Sequence, residues 1–388
     1  VEGRINQSQD ITQNPVTYGL SRVVIGDGKT KVEDADENDY ENNGYKGALL
    51  RMGKEAGIYV RAYVEGEGTN AHIHTPESYL KVNRNGKLIM GERVTDNTGS
   101  DITSSANVPR SDYPLIRGNL IIDGNAEMNN GRIIDTELDQ SQEKNKLVIK
   151  KDGNFTIRNG TIDIAIENEG NIKFVGGKFT KNVDIDGGVF NLVDYVYKGS
   201  ESIKCQGGVL VIENGDIKVD MEKEEGIDFN AAAIEVSETG SVLLKNSSVW
   251  GSRCAIRVKG ITGVSSGKEK GTGTGSSNNS LDKFIEDQEI RDIVQDEKFN
   301  VYVLGKDSII KGNRCGIILL SGILEFKEGT ICDSIVGLEL DDDKQVQVVN
   351  ENGETGTKKT KPINANVEYA TIKNCVAGVY AGVMNKTE

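Results

Sequence analysis

A repeated pattern of apolar, polar and small residues runs through the C-terminal half of the chain. The segment GTICDSIVGLEL, residues 329–340, matches ATIKNCVAGVYA, residues 370–381, position for position without a gap. The same order recurs in SVWGSRCAIRV, residues 248–258, and in IIKGNRCGIIL, residues 309–319. Three columns of the alignment are Val249, Ile310, Ile331 and Ile372; Ala255, Gly316, Gly337 and Gly378; and Ile256, Ile317, Leu338 and Val379. Such repetition indicates one structural unit that is stacked several times.

A second template lies upstream of the first, in the segments GNFTIRNGTI, GNIKFVGGKF, GGVFNLVDYV, GGVLVIENGDI and GSVLLKNSSV. Each segment carries two apolar residues with one residue between them. The pairs are Phe155/Ile157, Ile172/Phe174, Phe190/Leu192, Leu210/Ile212 and Val242/Leu244, at steps of 17, 18, 20 and 32 residues. Alternation with a period of two predicts strands that have one buried face. A unit near 20 residues is too short for repeats built of helix pairs.

These patterns predict an all-β fold, a parallel β-helix whose coils are hydrogen-bonded to one another at roughly 4.8 Å. Equivalent residues of successive coils then stack in columns, which explains why the same residue types recur. We expect these side chains inside the solenoid: Ile157, Phe174, Leu192, Ile212, Ile317, Leu338 and Val379.

The repeats IIKGNRCGIIL and TIKNCVAGVYA resemble those of the right-handed parallel β-helices of the pectate-lyase-like superfamily, and GNFTIRNGTI is similar to repeats of bacterial surface proteins with that fold. The resemblance covers the chain from about Gly118 to its C-terminus. It implies the fold more strongly than any activity, because the superfamily includes lyases, hydrolases, adhesins and phage spikes.

The domain organisation follows from where the repeats stop. Residues 1–117 show no repeat and are expected to form an N-terminal cap or small β region, and residues 118–388 the solenoid. Two insertions interrupt the solenoid, at residues 260–300 and 341–362. The first is predicted to contain a helix capped by Ser280, with apolar residues on two faces that suggest a sandwiched position. The second contains QVQVV and NENG, which predict a hairpin.

Composition restricts the partners. A net charge of −14 and the lack of a visible basic stripe argue against nucleic acid as a partner. The sequence has no run of 18 apolar residues, so we expect no membrane-spanning segment in it. Because the chain begins at Val1 without a methionine or an apolar leader, we expect a processed or excised piece of a longer protein. The cysteines Cys205, Cys254, Cys315, Cys332 and Cys375 lack metal-site spacing, and most are expected to be small buried residues rather than a disulfide framework.

Candidate catalytic and metal-binding residues are sparse. Lyases of the superfamily use an R-x-P-x-x-R motif, and RSDYPLIR departs from it because Arg110 precedes Pro114 by four residues, although Arg117 is placed correctly. His72 and His74 would face the same way on a strand, but no third ligand lies nearby in the sequence. An acidic loop with Asp34, Asp36 and Asn38 resembles the start of a calcium loop, but it lacks the glycine and the final glutamate. We expect no cofactor and no bound metal.

Aromatic side chains are the remaining candidates, because flat rings on a solenoid form a regular platform for sugar rings. The predicted carbohydrate-binding residues are Trp250, Tyr380, Tyr195, Tyr197 and Tyr302, with the alternative that loops cover these rings. The expected function is a non-catalytic adhesin that attaches a bacterial cell to an insoluble polysaccharide such as cellulose. Its architecture resembles that of the tāpirins, cellulose-binding β-helix proteins of bacterial surfaces. The alternatives are a polysaccharide lyase or glycoside hydrolase, and a structural component of a cell-surface or filament assembly.

Overall fold

The computed structural model describes residues 22–26, 48–53, 56–60, 63–65, 72–74, 79–93, 114–135, 145–221, 231–237, 239–259, 278–296, 298–341, 346–349, 355–358 and 363–382. The chain divides into two compact units, an N-terminal unit, Val1–Lys181, and a C-terminal unit, Asn182–Glu388. Within each unit, short strands stack side by side in parallel ladders.

The N-terminal unit contains the strands β1 (Arg22–Ile25), β2 (Ala48–Met52), β3 (Gly57–Tyr59), β4 (Tyr63–Glu65), β5 (His72–His74), β6 (Tyr79–Val82), β7 (Gly86–Met90), β8 (Leu115–Arg117), β9 (Leu120–Ile122), β10 (Asn125–Met128), β11 (Arg132–Ile134), β12 (Lys146–Ile149), β13 (Asn154–Ile157), β14 (Thr161–Asp163), β15 (Ala165–Asn168), β16 (Asn171–Phe174) and β17 (Lys178–Phe179). Its three parallel ladders run β1-β6-β9-β12-β15, β2-β7-β10-β13-β16 and β3-β8-β11-β14-β17, and β4 pairs with β5 as an antiparallel hairpin.

The register of these ladders confirms the second sequence template. Phe155 pairs with Ile172, and Ile157 pairs with Phe174, and all four side chains are fully buried. The coils also begin before Gly118, because β1, β2 and β3 already pair in parallel with β6, β7 and β8. The parallel ladders therefore begin before the repeat becomes visible in the sequence. The N-terminal cap expected in residues 1–117 stays a prediction.

The C-terminal unit contains the strands β18 (Val183–Ile185), β19 (Val189–Val193), β20 (Val196–Gly199), β21 (Ile203–Cys205), β22 (Val209–Glu213), β23 (Asp216–Val219), β24 (Ala232–Val236), β25 (Ser241–Lys245), β26 (Ser248–Gly251), β27 (Cys254–Val258), β28 (Val301–Leu304), β29 (Ile309–Gly312), β30 (Cys315–Leu319), β31 (Gly322–Cys332), β32 (Val336–Asp341), β33 (Val346–Val349), β34 (Thr355–Lys358), β35 (Ile363–Lys373) and β36 (Ala377–Gly382). Two helices, α1 (Asn278–Phe284) and α2 (Gln288–Asp296), lie in the first insertion.

Three parallel ladders form the walls of this unit. Sheet I consists of β19, β22, β25, β28 and the first part of β31; sheet II of β18, β21, β24, β27, β30, β32 and β36; and sheet III of β20, β23, β26, β29 and the last part of β31. The strand β35 pairs along most of β31 and so extends both sheet I and sheet III. With these ladders, the predicted parallel β-helix is confirmed.

The column alignment made from the sequence is also confirmed. Val249 pairs with Ile310, Ile310 with Ile331 and Ile331 with Ile372, as in the first aligned column. Six of the seven side chains expected inside are buried: Ile157, Phe174, Leu192, Ile212, Ile317 and Leu338.

Val379 is the exception, because 56% of its surface is exposed. It continues the inward column of Leu338, with which it pairs across β32 and β36. Within the described residues, however, no strand follows β36 in sheet II. A side chain on the last described strand has a neighbouring coil on one side only, so the prediction of burial was wrong for this residue.

The two insertions differ from each other in structure. The first forms two helices instead of one, and Ser280 lies inside α1 rather than at its N-terminus, so the predicted cap was wrong. When the two helices are drawn as one continuous helix, the break between α1 and α2 puts their apolar residues on two different faces. In the second insertion, β33 and β34 form the predicted antiparallel hairpin.

Candidate functional site

Trp250 lies on the outer face of sheet III. On β26 the inward residue Val249 is buried, and the next residue, Trp250, points to the opposite face and is partly exposed. Its neighbours in the ladder are Lys218 on β23 and Lys311 on β29. The Nζ atom of Lys218 lies 4.7 Å from the centroid of the indole ring, a cation–π contact that holds the ring in place.

Tyr195 and Tyr197 do not share this outer face. Only 2% of Tyr195 and 3% of Tyr197 are exposed, and Tyr197 occupies the inward column, where it pairs with Ile217. The hydroxyl of Tyr197 donates to the backbone oxygen of Glu201 at 3.2 Å. Both rings were predicted to bind carbohydrate, but they are buried, and neither can stack on a sugar in this structure.

Tyr302 is covered by the first insertion. The helices α1 and α2 pack on the outer face of sheet I, and Tyr302 is 5% exposed beneath them. The buried cluster comprises Val189, Val211, Leu243, Leu281, Ile285, Ile290, Ile293, Phe299 and Tyr302. Phe299 also meets Tyr302 edge to face, with ring centroids 5.4 Å apart. The alternative of a covered ring is therefore correct for this residue.

Polar contacts fasten the insertion to sheet I. The side-chain amide of Asn191 donates to the backbone oxygen of Phe284 at 2.7 Å. The Nζ atom of Lys245 lies 2.6 Å from a carboxylate oxygen of Asp287 and 2.8 Å from one of Glu289. The two helices of the insertion thus pack on sheet I, whereas Trp250 lies on sheet III.

Tyr380 is half-exposed, at 52%, but it lies on β36 in sheet II. Trp250 lies on β26 in sheet III, so the structure does not bring the two rings onto one face. Of the five predicted aromatic residues, Trp250 alone is a ring on the outer face of sheet III.

Comparison with protein-family models, with curated proteins and with solved structures found no match. Function is therefore inferred from the surface chemistry of the two units.

The other predicted candidates do not form a site among the described residues. Asp34, Asp36, Asn38 and Arg110 lie outside the described residues, and so do the side chains of His72 and His74 on β5. Across the part of the chain that the structure describes, no group of three or more histidine, cysteine or acidic residues could hold a metal ion. Over the same residues, no helix is long and apolar enough to cross a bilayer.

The cysteines behave as small apolar residues. All five are free thiols, and Cys205, Cys254, Cys315 and Cys332 are buried while Cys375 is partly exposed. Burial raises the pKa of Cys205 to about 12, so this thiol stays protonated at neutral pH and is a poor nucleophile.

Tyr197 gives a prediction for alkaline pH. Burial first, and then the carboxylate of Glu201, raises its pKa from 10.0 to about 12. The folded state favours the neutral phenol, so this stability is fully present below pH 10 and is lost as the pH rises towards 12. Wild-type protein should therefore lose up to about 1.4 kcal/mol per pH unit more than the Tyr197→Phe variant in that window. Urea unfolding across the window measures the difference, and parallel curves would contradict it.

Sequence reasoning missed the lysines of sheet III. Lys198 on β20 is the register partner of Lys218 on β23, and Lys218 is in turn the register partner of Trp250 on β26. These lysines are separated by a whole coil in the sequence, so no basic stripe is visible along the chain. They become neighbours only when the coils stack. The available signal was positional, since Lys311 and Lys373 share the alignment column of Trp250.

Proposed function

We propose that this protein is a non-catalytic, extracellular adhesin that binds an extended polysaccharide on sheet III of its C-terminal unit. The supporting observation is the position of Trp250, a partly exposed ring in the middle of a straight column of outward residues. An indole held by a neighbouring ammonium loses little side-chain entropy when a sugar ring stacks on it.

The geometry of the ladder suits a polymer better than a small ligand. Outward residues of neighbouring strands repeat at roughly 4.8 Å along the stack, and the stack continues on both sides of β26 in sheet III. A stiff chain that lies along the column can contact several coils at once, which raises avidity without a deep pocket. Attachment of a bacterial cell to an insoluble polysaccharide is the corresponding biological role.

Replacing Trp250 by alanine should weaken adsorption about fivefold, because one stacking contact contributes on the order of 1 kcal/mol. Depletion isotherms on insoluble polysaccharides measure this effect, together with an assay for released reducing or unsaturated ends. Trp250→Phe keeps an aromatic face and should retain most of the binding. Tyr380→Ala, on sheet II, is the matched control and should adsorb like wild type.

Three results would contradict the proposal. The first is that wild-type protein adsorbs to none of the polymers, and the second is that Trp250→Ala adsorbs normally with its circular dichroism spectrum intact. The third is that reducing or unsaturated ends accumulate in proportion to protein, which would indicate a lyase or a hydrolase. Adsorption should also survive EDTA, because the proposed contacts need no metal.

A further inference from the structure

The outward column that contains Trp250 is dominated by lysine. Following the ladder of sheet III, the column reads Lys198, Lys218, Trp250, Lys311, Cys332 and Lys373. Lys198, Lys218 and Lys373 are exposed, and Lys311 is partly exposed. Four ammonium groups therefore line one face of a protein whose net charge is −14.

An outward column of sheet II in the same unit has a different charge pattern. There Asp184, Lys204, Glu235 and Arg257 follow one another as register partners, and the charges alternate in sign. The Nζ atom of Lys204 lies 4.0 Å from a carboxylate oxygen of Asp184. Alternation stabilises neighbouring strands, whereas like charges placed directly opposite one another destabilise them.

Sheet III breaks this rule at Lys198 and Lys218, which are directly paired like charges. Among the described residues, no carboxylate forms an ion pair with Lys198, Lys218 or Lys373. Lys218 instead lies on the indole of Trp250. Two like charges paired on an exposed face indicate binding of an anion, because an anionic ligand can supply the negative charge that neighbouring side chains do not provide.

Two described carboxylates beside this column already have partners. Asp333, at the turn after β31, lies 3.0 Å from the Nζ atom of Lys311. Asp216 lies in the other outward column and accepts a hydrogen bond from the hydroxyl of Ser248. These contacts neutralise part of the face but leave the ammonium groups of Lys198 and Lys373 available on either side of Trp250.

We infer that the ligand of sheet III is an anionic polysaccharide, one that carries carboxylate or sulfate groups along its length. This inference rests on the proposed function and adds the class of polymer. A sugar ring would stack on Trp250, and acidic groups before and after it would meet the ammonium groups of Lys198, Lys218 and Lys373. The column thus selects a charged polymer over neutral cellulose.

The test compares soluble polymers of matched length by affinity electrophoresis and calorimetry. The probes are polygalacturonate for carboxylate, dextran sulfate for sulfate, hydroxyethyl cellulose as the neutral polymer, and single-stranded DNA. At low ionic strength, wild-type protein should bind at least one anionic polysaccharide roughly tenfold more tightly than the neutral polymer, and about 0.5 M salt should remove most of the difference. Preference between polygalacturonate and dextran sulfate identifies the acidic group.

The decisive variant is Lys198→Gln combined with Lys373→Gln, which leaves Lys218 in place on the indole. It should lose roughly tenfold in affinity for the anionic polysaccharide and keep its affinity for the neutral one. Lys204→Gln, from the alternating column of sheet II, is the matched control and should bind like wild type.

The outcomes separate this inference from the proposed function. If the neutral polymer binds as well as the charged ones and the double lysine variant is unaffected, the anionic class is wrong and polysaccharide binding stands. If no polysaccharide binds, both are wrong. If DNA binds more tightly than every polysaccharide and depends on the same lysines, the ligand is a nucleic acid and the inference is overturned.

Discussion

Replacement of Phe190 by alanine should lower the free energy of unfolding by about 3–5 kcal/mol. The ring is fully buried on β19, and its neighbour in the column is Leu210 on β22. Ladder hydrogen bonds hold the backbones of both strands, so the coils cannot close around the missing ring. The cost then includes both the lost burial of apolar surface and the cavity that remains.

Equilibrium unfolding in guanidinium chloride, followed by circular dichroism, measures this change. Val196→Ala provides the control in the same unit, because 58% of that side chain is exposed, and it should alter stability by less than about 0.5 kcal/mol. A loss below about 1 kcal/mol for Phe190→Ala would mean that the ring is not an essential part of the inward column.

The inward columns were predictable from sequence because stacking imposes the same burial on every coil. A residue such as Ile310 must match Val249 on one side and Ile331 on the other, and the register shows that it does. The same apolar position therefore recurs in every repeat of the sequence, and this recurrence makes the alignment reliable. It weakens at Val379, where β36 has a described neighbour on one side only.

The orientation of Tyr195 and Tyr197 was not predictable by continuing the alternation of β19. Between β19 and β20 stands Asp194, whose φ of 49° is in the left-handed region. This turn resets the alternation, so Tyr197 faces inward although it is an odd number of residues from Leu192. Asn214 and Asn246 adopt the same conformation, with φ of 52° and 49°. The recurrent Asp or Asn directly after β19, β22 and β25 is the signal that could have placed the turn.

The orientation of Tyr302, in contrast, was predictable from the alternation of its strand. Its outward orientation on β28 follows from the alternation with Val301 and Val303, which are buried on the inner side. The repeat could not show that helices cover this ring, because α1 and α2 belong to an insertion that has no counterpart in the other described coils. Contacts that occur once in a chain leave no periodic trace, so they need tertiary information.

Replacement of Ile290 by aspartate is the strongest test of the packing of α1 and α2 on sheet I. Ile290 is fully buried on α2, within the cluster that joins the insertion to sheet I. A carboxylate there would lose its hydration without gaining a charged partner, at a cost of several kcal/mol. The polar contacts of Lys245 and Asn191 are not expected to hold the helices on sheet I once this apolar cluster is disrupted. We therefore expect α1 and α2 to detach while the ladders stay folded.

Hydrogen exchange read by mass spectrometry resolves this local event. Amides of residues 278–296 should exchange much faster in Ile290→Asp, and those of β26 and β29 in sheet III should keep their protection. Ile290→Val is the matched control, since it keeps an apolar side chain and should cost only about 0.5–1.5 kcal/mol. Because α1 and α2 lie on sheet I, Ile290→Asp should still bind the polymer through Trp250. Loss of binding on detachment would move the site from sheet III to the helix-covered face.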